Sequence, residues 1–191
     1  MGVAMTPRRT AVFIDKDGTL VHDVPYNVDP DRLAFTPHAV EGLRLLQAQG
    51  HALVIVTNQP GIALGLFDSA ALDCLTMALV GLLHDAGVRI DAVHACPHAP
   101  GDGCDCRKPL PGLLLQAARE LNIDLSRSWM VGDILNDVEA GHRAGCRSVL
   151  LDVGNETEWI RSPLRVPQFI VRDLGEAARR ILAYDATAEA A

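Results

Sequence analysis

Short, nearly continuous apolar runs rich in β-branched residues punctuate the chain: AVFI before Asp15, LVIV before Thr57, AVH before Ala95, WMV before Gly132 and SVLL before Asp152. Runs of this length bounded by turn-forming residues read as buried strands, because a strand covered on both faces loses the apolar–polar alternation. Between them, apolar positions recur with helical spacing over about 38–49, 69–86, 111–121 and 136–144, and again near 173–183. This order predicts an α/β fold, a Rossmann-like three-layer sandwich whose mostly parallel central sheet carries helices on both faces. Ligands of such sheets sit at the carboxyl ends of the strands, so chemistry is expected in the residues that follow the runs. The stretch 20–37 has no clear period and is too short for a separate lid, which predicts an open site with no large cap domain. Without an internal repeat or a Ser/Gly linker, the chain reads as a single domain over 1–191, with tails at about 1–9 and 185–191.

The composition, 191 residues with 49% hydrophobic and 21% charged, suits one soluble domain. No apolar run approaches the roughly 20 residues that span a bilayer, and the start, MGVAMTPRRT, lacks the apolar stretch of a secretory signal. A cytoplasmic protein without membrane contact is expected. Gly2 and Thr6 fit the short myristoylation pattern, but Met5 is an equally good initiator and lipidation is not expected. A net charge of −7 and few aromatic residues argue against a nucleic-acid partner, which would need clustered Lys and Arg and stacking platforms. An acidic protein can still bind an anion where its cations converge.

FIDKDGTL ends a buried-type strand in Asp15 and Asp17, two residues apart on the same side of the chain, with Gly18 allowing a sharp turn. A carboxylate that attacks phosphorus forms an aspartyl phosphate and divides hydrolysis into two steps. A second carboxyl can protonate the leaving oxygen and later take a proton from water. A calcium loop also starts with alternating acids, but it needs a third oxygen ligand before the Gly and a Glu further on, and neither is here. Ordinary turn chemistry after a strand remains the other reading of this segment alone.

In LVIVTNQPG, Thr57 and Asn58 follow the strand and Pro60-Gly61 turns the chain. A hydroxyl, an amide and backbone N–H groups suit a phosphate there; a polar turn in which Thr57 bonds its own backbone is the alternative. Arg107-Lys108 precedes a Pro111-Gly112 helix start. Lys108 offers the fixed point charge that a transferring phosphoryl group needs, and the flat fork of Arg107 suits a second anion or sugar hydroxyls; solvated surface cations are the competing reading. WMVGDILND runs a strand into Gly132-Asp133, with Asp137 four residues later. Asp133 can complete a Mg²⁺ site with Asp15 and the backbone carbonyl of Asp17, leaving room for waters and phosphate. Asp137 reads equally as a supporting group and as a first-turn acid favoured by the helix dipole. Converging Asp15, Asp17 and Asp133 would repel one another and any phosphate unless Mg²⁺ and Lys108 offset them.

Three sulfurs and an imidazole, Cys96, His98, Cys104 and Cys106, fall within eleven residues. That is the ligand set of a closed, structural Zn²⁺ site, in a loop where Pro97, Pro100, Gly101 and Gly103 prevent regular structure. Cys106 adjoins Arg107 and Lys108, so zinc is expected to brace those cations. Cys74 and Cys146 stand apart in apolar surroundings and read as packing residues.

In order and spacing, the four strand-end segments resemble the haloacid dehalogenase superfamily of phosphohydrolases. The zinc loop resembles that of its capless subfamily of heptose bisphosphate and histidinol-phosphate phosphatases. The resemblance runs from about Thr10 to Asp152, with a further strand and helix beyond. It implies Asp15 as nucleophile, Asp17 as general acid/base, Thr57, Asn58 and Lys108 as phosphate contacts, and Asp133 as a Mg²⁺ ligand. The chain departs from the subfamily at Lys16, where Arg is usual, and at Pro60, where a small polar residue is common. The implied reaction is hydrolysis of the 7-phosphate of D-glycero-D-manno-heptose 1,7-bisphosphate by a monomer, with Tyr26, Asn27 and Arg107 meeting the sugar and its other phosphate. Histidinol phosphate or another small phosphoester is the alternative substrate. A polynucleotide 3′-phosphatase would show a basic groove, and a non-catalytic zinc module would lack a key acid.

Overall fold

The computed structural model describes residues 8–189. Six parallel strands form the sheet: β1 Ala11–Ile14, β2 Ala52–Asn58, β3 Ala92–Cys96, β4 Trp129–Gly132, β5 Arg147–Leu151 and β6 Phe169–Val171. Their spatial order is β3-β2-β1-β4-β5-β6. Helices α1 Ala39–Ala48, α2 Ser69–Asp85, α3 Gly112–Leu121 and α4 Leu135–Ala144 connect β1 through β5 in turn, a loop with one short helical turn joins β5 to β6, and α5 Leu174–Glu189 follows β6. The three-layer α/β sandwich expected from the alternation of runs is the architecture observed.

The sheet sorts its side chains by the two-residue period of a strand. Val12, Ile14, Leu53, Ile55 and Val131 face a layer built from Leu43 and Leu46 of α1, Leu79 and Leu83 of α2, and Leu174 and Ile181 of α5. Phe13, Val54, Val56 and Met130 face Leu113, Leu114 and Ala117 of α3 and Ala140 of α4. Each fully buried Leu or Ile contributes roughly 1.5–3 kcal/mol, and central strand β1 has no exposed residue on either side. Chain order reverses between β1 and β4, which register Ile14 against Val131, and a crevice opens at the carboxyl ends of such a pair.

The stretch 20–37 forms a small flap rather than a domain. Leu20 and Val21 are buried in the main core, Val21 bridges both Asp17 and Phe35, and the Thr36 hydroxyl donates to the Thr19 carbonyl at 2.6 Å.

Two sequence expectations meet a different structure. Cys74 is exposed, because the buried face of α2 is set by Leu72, Leu75, Leu79 and Leu83 and position 74 turns away from it; Cys146 does pack in the core beside α3 and α4. The last helix continues through Asp185 to Glu189. Asp185 explains the extension: it accepts a hydrogen bond from the Trp129 indole at 3.2 Å and lies 3.4 Å from His51 Nε2, which ties the helix end to the bottom of the sheet. At the other terminus, Arg9 bridges Ile123 and pairs with Asp91 at 3.1 Å. Gly2, Met5 and Thr6 lie outside the described residues. Among the described residues no helix is long and apolar enough to cross a membrane.

Candidate active site and metal centres

The ends of β1, β2 and β4 and the turn before α3 open onto one concavity of about 280 Å³, lined by Asp15, Asp17, Thr57, Asn58, Lys108 and Asp133 among others. Asp15 is fixed by its backbone: its N–H donates to the Val131 carbonyl at 2.9 Å, extending the strand pairing past the end of β1. The buried Lys108 ammonium sits at the centre of the cluster. It makes a short contact to Asp15 Oδ1, pairs with Asp137 Oδ1 at 2.6 Å and donates to the Val56 carbonyl at 3.0 Å. Asp137 combines both of its sequence readings, since its second oxygen accepts the Ile134 N–H at 3.3 Å in the first turn of α4.

Asp133 follows β4, with Oδ1 accepting from the Thr19 hydroxyl at 3.0 Å and Oδ2 from the Asn155 amide at 2.7 Å. Gly18 makes this close approach possible: at φ +83 it adopts a backbone conformation that suits glycine, and a Cβ there would stand 2.2 Å from Asp133 Oδ2. Asp17 is held differently, by Lys16 at 2.7 Å on one oxygen and by Gln59 at 2.9 Å on the other. The same Gln59 amide reaches the Thr57 hydroxyl at 3.0 Å.

Two residues read as substrate contacts have other commitments. The Asn58 side chain donates to the Lys108 carbonyl at 3.1 Å and accepts the Lys108 N–H at 3.0 Å, so it holds the backbone of Lys108 in place. Arg107 donates to the His98 carbonyl at 3.2 Å, within the cysteine loop. The adjoining concavity of about 250 Å³ is lined by Lys16, Tyr26, Asn27 and Pro60 among others. Thr19, Gln59 and Asn155 went unread in the sequence because neutral side chains carry no chemical signature until folding brings them to an acid.

The carboxylates carry the cost of their crowding. Burial, with the charges of Asp137 and Asp133 adding to it, raises Asp15 well above the usual carboxylate range against the opposing pull of Lys108. Burial and then Asp137 push Asp133 up to about 6. Burial alone would lower Lys108, but Asp137 and Asp15 outweigh it and keep the ammonium charged. Oxygens of Asp15, Asp133 and Asp137 lie within 4.8 Å of one another. Three negative charges against one ammonium leave two uncompensated, which fits a hard divalent cation on Asp15 and Asp133. Asp137, already engaged by Lys108 and Ile134, fits a supporting place.

The raised Asp133 gives a stability prediction. A carboxylate whose folded-state value is raised contributes stability that is complete below its unfolded value, 3.8, and lost as pH climbs through about 6. At pH 7 the ionised Asp133 of metal-free protein therefore costs on the order of 3 kcal/mol. Asp133→Asn is expected to raise the melting temperature of the metal-free protein at pH 7, but not at pH 4, and to remove its stabilisation by Mg²⁺. Equal melting curves at pH 7 would contradict this assignment of the strain.

On the flank of the site, the loop after β3 gathers Cys96, His98, Cys104 and Cys106, whose ligand atoms lie within 4.8 Å of one another. Cys96 Sγ stands 3.6 Å from His98 Nδ1 and 3.8 Å from Cys104 Sγ. Cys106 Sγ lies 3.2 Å from Cys96 Sγ and 3.3 Å from His98 Nδ1. A tetrahedron with Zn–S bonds of about 2.3 Å has S–S edges of about 3.8 Å; the donor set fits Zn²⁺, with the Cys96–Cys104 edge at that length and the Cys96–Cys106 edge shorter. Burial and the neighbouring thiols push Cys106 up to about 12, a cost that a bound cation would relieve.

A family model described as HAD-hydrolase-like matches residues 105–177. A D-glycero-beta-D-manno-heptose-1,7-bisphosphate 7-phosphatase of Yersinia pestis is 42% identical over 77% of this chain and 82% of its own length. The enzyme of that name from Pseudomonas aeruginosa is 34% identical over 91% and 98%. The crystal structure of D,D-heptose 1,7-bisphosphate phosphatase from B. bronchiseptica, complexed with magnesium and phosphate, superimposes with a TM-score of 0.77 at 32% identity, covering 92% of this chain and 99% of that one. With the fold, the acidic cluster and these relatives in agreement, the chain belongs to the haloacid dehalogenase-like hydrolases, in the group of the heptose bisphosphate phosphatases.

Proposed function

We propose that this protein hydrolyses the 7-phosphate of D-glycero-D-manno-heptose 1,7-bisphosphate through an aspartyl phosphate on Asp15. The observation that carries the reading is the meeting of Asp15, Lys108 and Asp133 at one strand-end crevice in a chain whose close relatives bear that activity in their names.

Asp15 attacks phosphorus, forming a bond to Oδ while the bond from phosphorus to the sugar oxygen breaks. Asp17 supplies the proton that the leaving oxygen needs. In the second step a water molecule attacks the aspartyl phosphate, Asp17 takes its proton, and Asp15 leaves as a carboxylate. Lys108 keeps Asp15 oriented and offsets charge on the transferring group. Thr57 presents its hydroxyl to the phosphate, while Asn58 acts on it through Lys108. Mg²⁺, held by Asp15, Asp133 and the Asp17 carbonyl, would screen the phosphate from the nucleophile and neutralise developing charge. Zn²⁺ in the cysteine loop would be structural. Every group in this scheme comes from one chain, so we also infer a monomer acting on a small phosphorylated sugar in the cytoplasm, without nucleic acid or membrane.

A side-by-side assay tests the substrate. We expect kcat/KM for the heptose bisphosphate to exceed that for histidinol phosphate by on the order of 10⁴-fold, the scale on which unmet polar contacts discriminate. A higher value for histidinol phosphate would replace this substrate with that one.

A further inference from the structure

We propose that Asn155 is a positioning residue that fixes the metal-binding carboxylate of Asp133, and that the loop after β5 is thereby coupled to metal binding; the inference rests on the Mg²⁺ site proposed above. Asn155 lies outside the strand-end segments that carry the chemistry. Its amide nevertheless donates to Asp133 Oδ2 at 2.7 Å, and it lines the reacting concavity.

The loop is anchored so that this contact is held. Glu156 Oε2 accepts the N–H of Leu135, the first residue of α4, at 2.8 Å. Glu156 Oε1 accepts the N–H groups of Glu158 at 2.9 Å and Trp159 at 3.4 Å. Asp133 stands two residues before Leu135, and Asn155 one residue before Glu156. The two hydrogen bonds thus close a ring, from Asp133 along the chain to Leu135, across to Glu156, back to Asn155 and onto Asp133. The backbone of Asn155 is thereby kept within reach of Asp133.

The brace opposes a definite force. Asp133 is buried and faces the charge of Asp137, so an unbraced carboxylate would turn away from the cluster. Neutral donors are suited to holding it, because Asn155 and Thr19 orient the two oxygens without adding a positive charge that would repel a cation. Each carboxylate oxygen has two lone pairs, so each keeps one for the metal. Gly18 completes the arrangement, since a Cβ there would meet Asn155 Nδ2 at 2.6 Å as well as Asp133. Trp159, 38% exposed on the same loop, provides a built-in fluorescent reporter.

The test is Mg²⁺ titration of the zinc-loaded full chain, by calorimetry and by tryptophan fluorescence. Asn155→Leu is expected to raise the Kd for Mg²⁺ by about 10- to 100-fold, the usual effect of losing a group that orients a ligand. With saturating Mg²⁺, kcat should return to within about threefold of wild type, because the reacting groups are intact. Asn155→Ser, which keeps a shorter donor and disturbs the loop least, is expected to lose less affinity. A purely architectural role would lower the melting temperature and leave the Kd alone, so a Kd within about twofold of wild type in both variants overturns the proposal. A wild-type chain that takes up no Mg²⁺ overturns the metal reading together with this one.

Discussion

Asp15→Asn is expected to reduce phosphate release by on the order of 10⁴-fold or more, because an amide cannot form the acyl phosphate through which both steps pass. The loss should not come from misfolding. Asn is nearly isosteric, the backbone of position 15 is held by the Val131 carbonyl, and Lys108 keeps its contacts to Asp137 and the Val56 carbonyl. Burial penalises the ionised Asp15 in the absence of metal, so the neutral variant should melt no lower than wild type in metal-free buffer. Acid-quenched wild-type protein should carry one phosphoryl group by mass during turnover, and the variant none. Activity within about tenfold of wild type would move the nucleophile elsewhere, and Asp133 would be the next carboxylate to examine.

What the sequence disclosed and what it withheld divide along a physical line. Buried parallel strands read as apolar runs because both faces are covered, so the runs before Asp15, Thr57, Gly132 and Asp152 marked their strands directly. The three residues of β6, Phe169–Val171, also form an apolar run, but at the edge of the sheet Ile170 is exposed, so there the run does not report cover on both faces. Charged and sulfur-bearing side chains suggest chemistry by their type, and the structure brings Asp15, Lys108 and Asp133 to one crevice. Asn155 and Thr19 reach Asp133 from 22 and 114 residues away, and a lone Asn or Thr looks the same in any loop. Asn58 shows the limit from the other side. Its position after a strand implied a phosphate contact, but only the fold reveals that its amide is spent on both backbone groups of Lys108. Arg107, expected to reach the substrate, is tied to the carbonyl of a candidate zinc ligand, which makes its reach depend on that loop.

That dependence sets the expected result of removing zinc. Cys106→Ala, or chelation of the metal, should raise KM by roughly tenfold or more and lower kcat less, while a phosphate mimic can still be trapped on Asp15. The asymmetry follows from how the two cations are braced. Lys108 is fixed independently of the cysteines, through Asn58 to β2 and through its ammonium to Asp137. Arg107 has its side chain on the His98 carbonyl; its backbone is held by the Leu110 N–H on its carbonyl at 2.8 Å, so it is the reach of the guanidinium that depends on the loop. Cys96 ends β3 and stays in place, but the other three ligands lie on a stretch where Gly101 and Gly103 adopt positive φ and no ladder restores its shape. Structural zinc supplies roughly 10–16 kcal/mol in isolated fingers, far more than the few hydrogen bonds of this loop could replace. Phosphoryl transfer should therefore outlast substrate recognition as zinc is withdrawn, and unchanged kinetics in protein verified to be zinc-free would separate the loop from the substrate altogether.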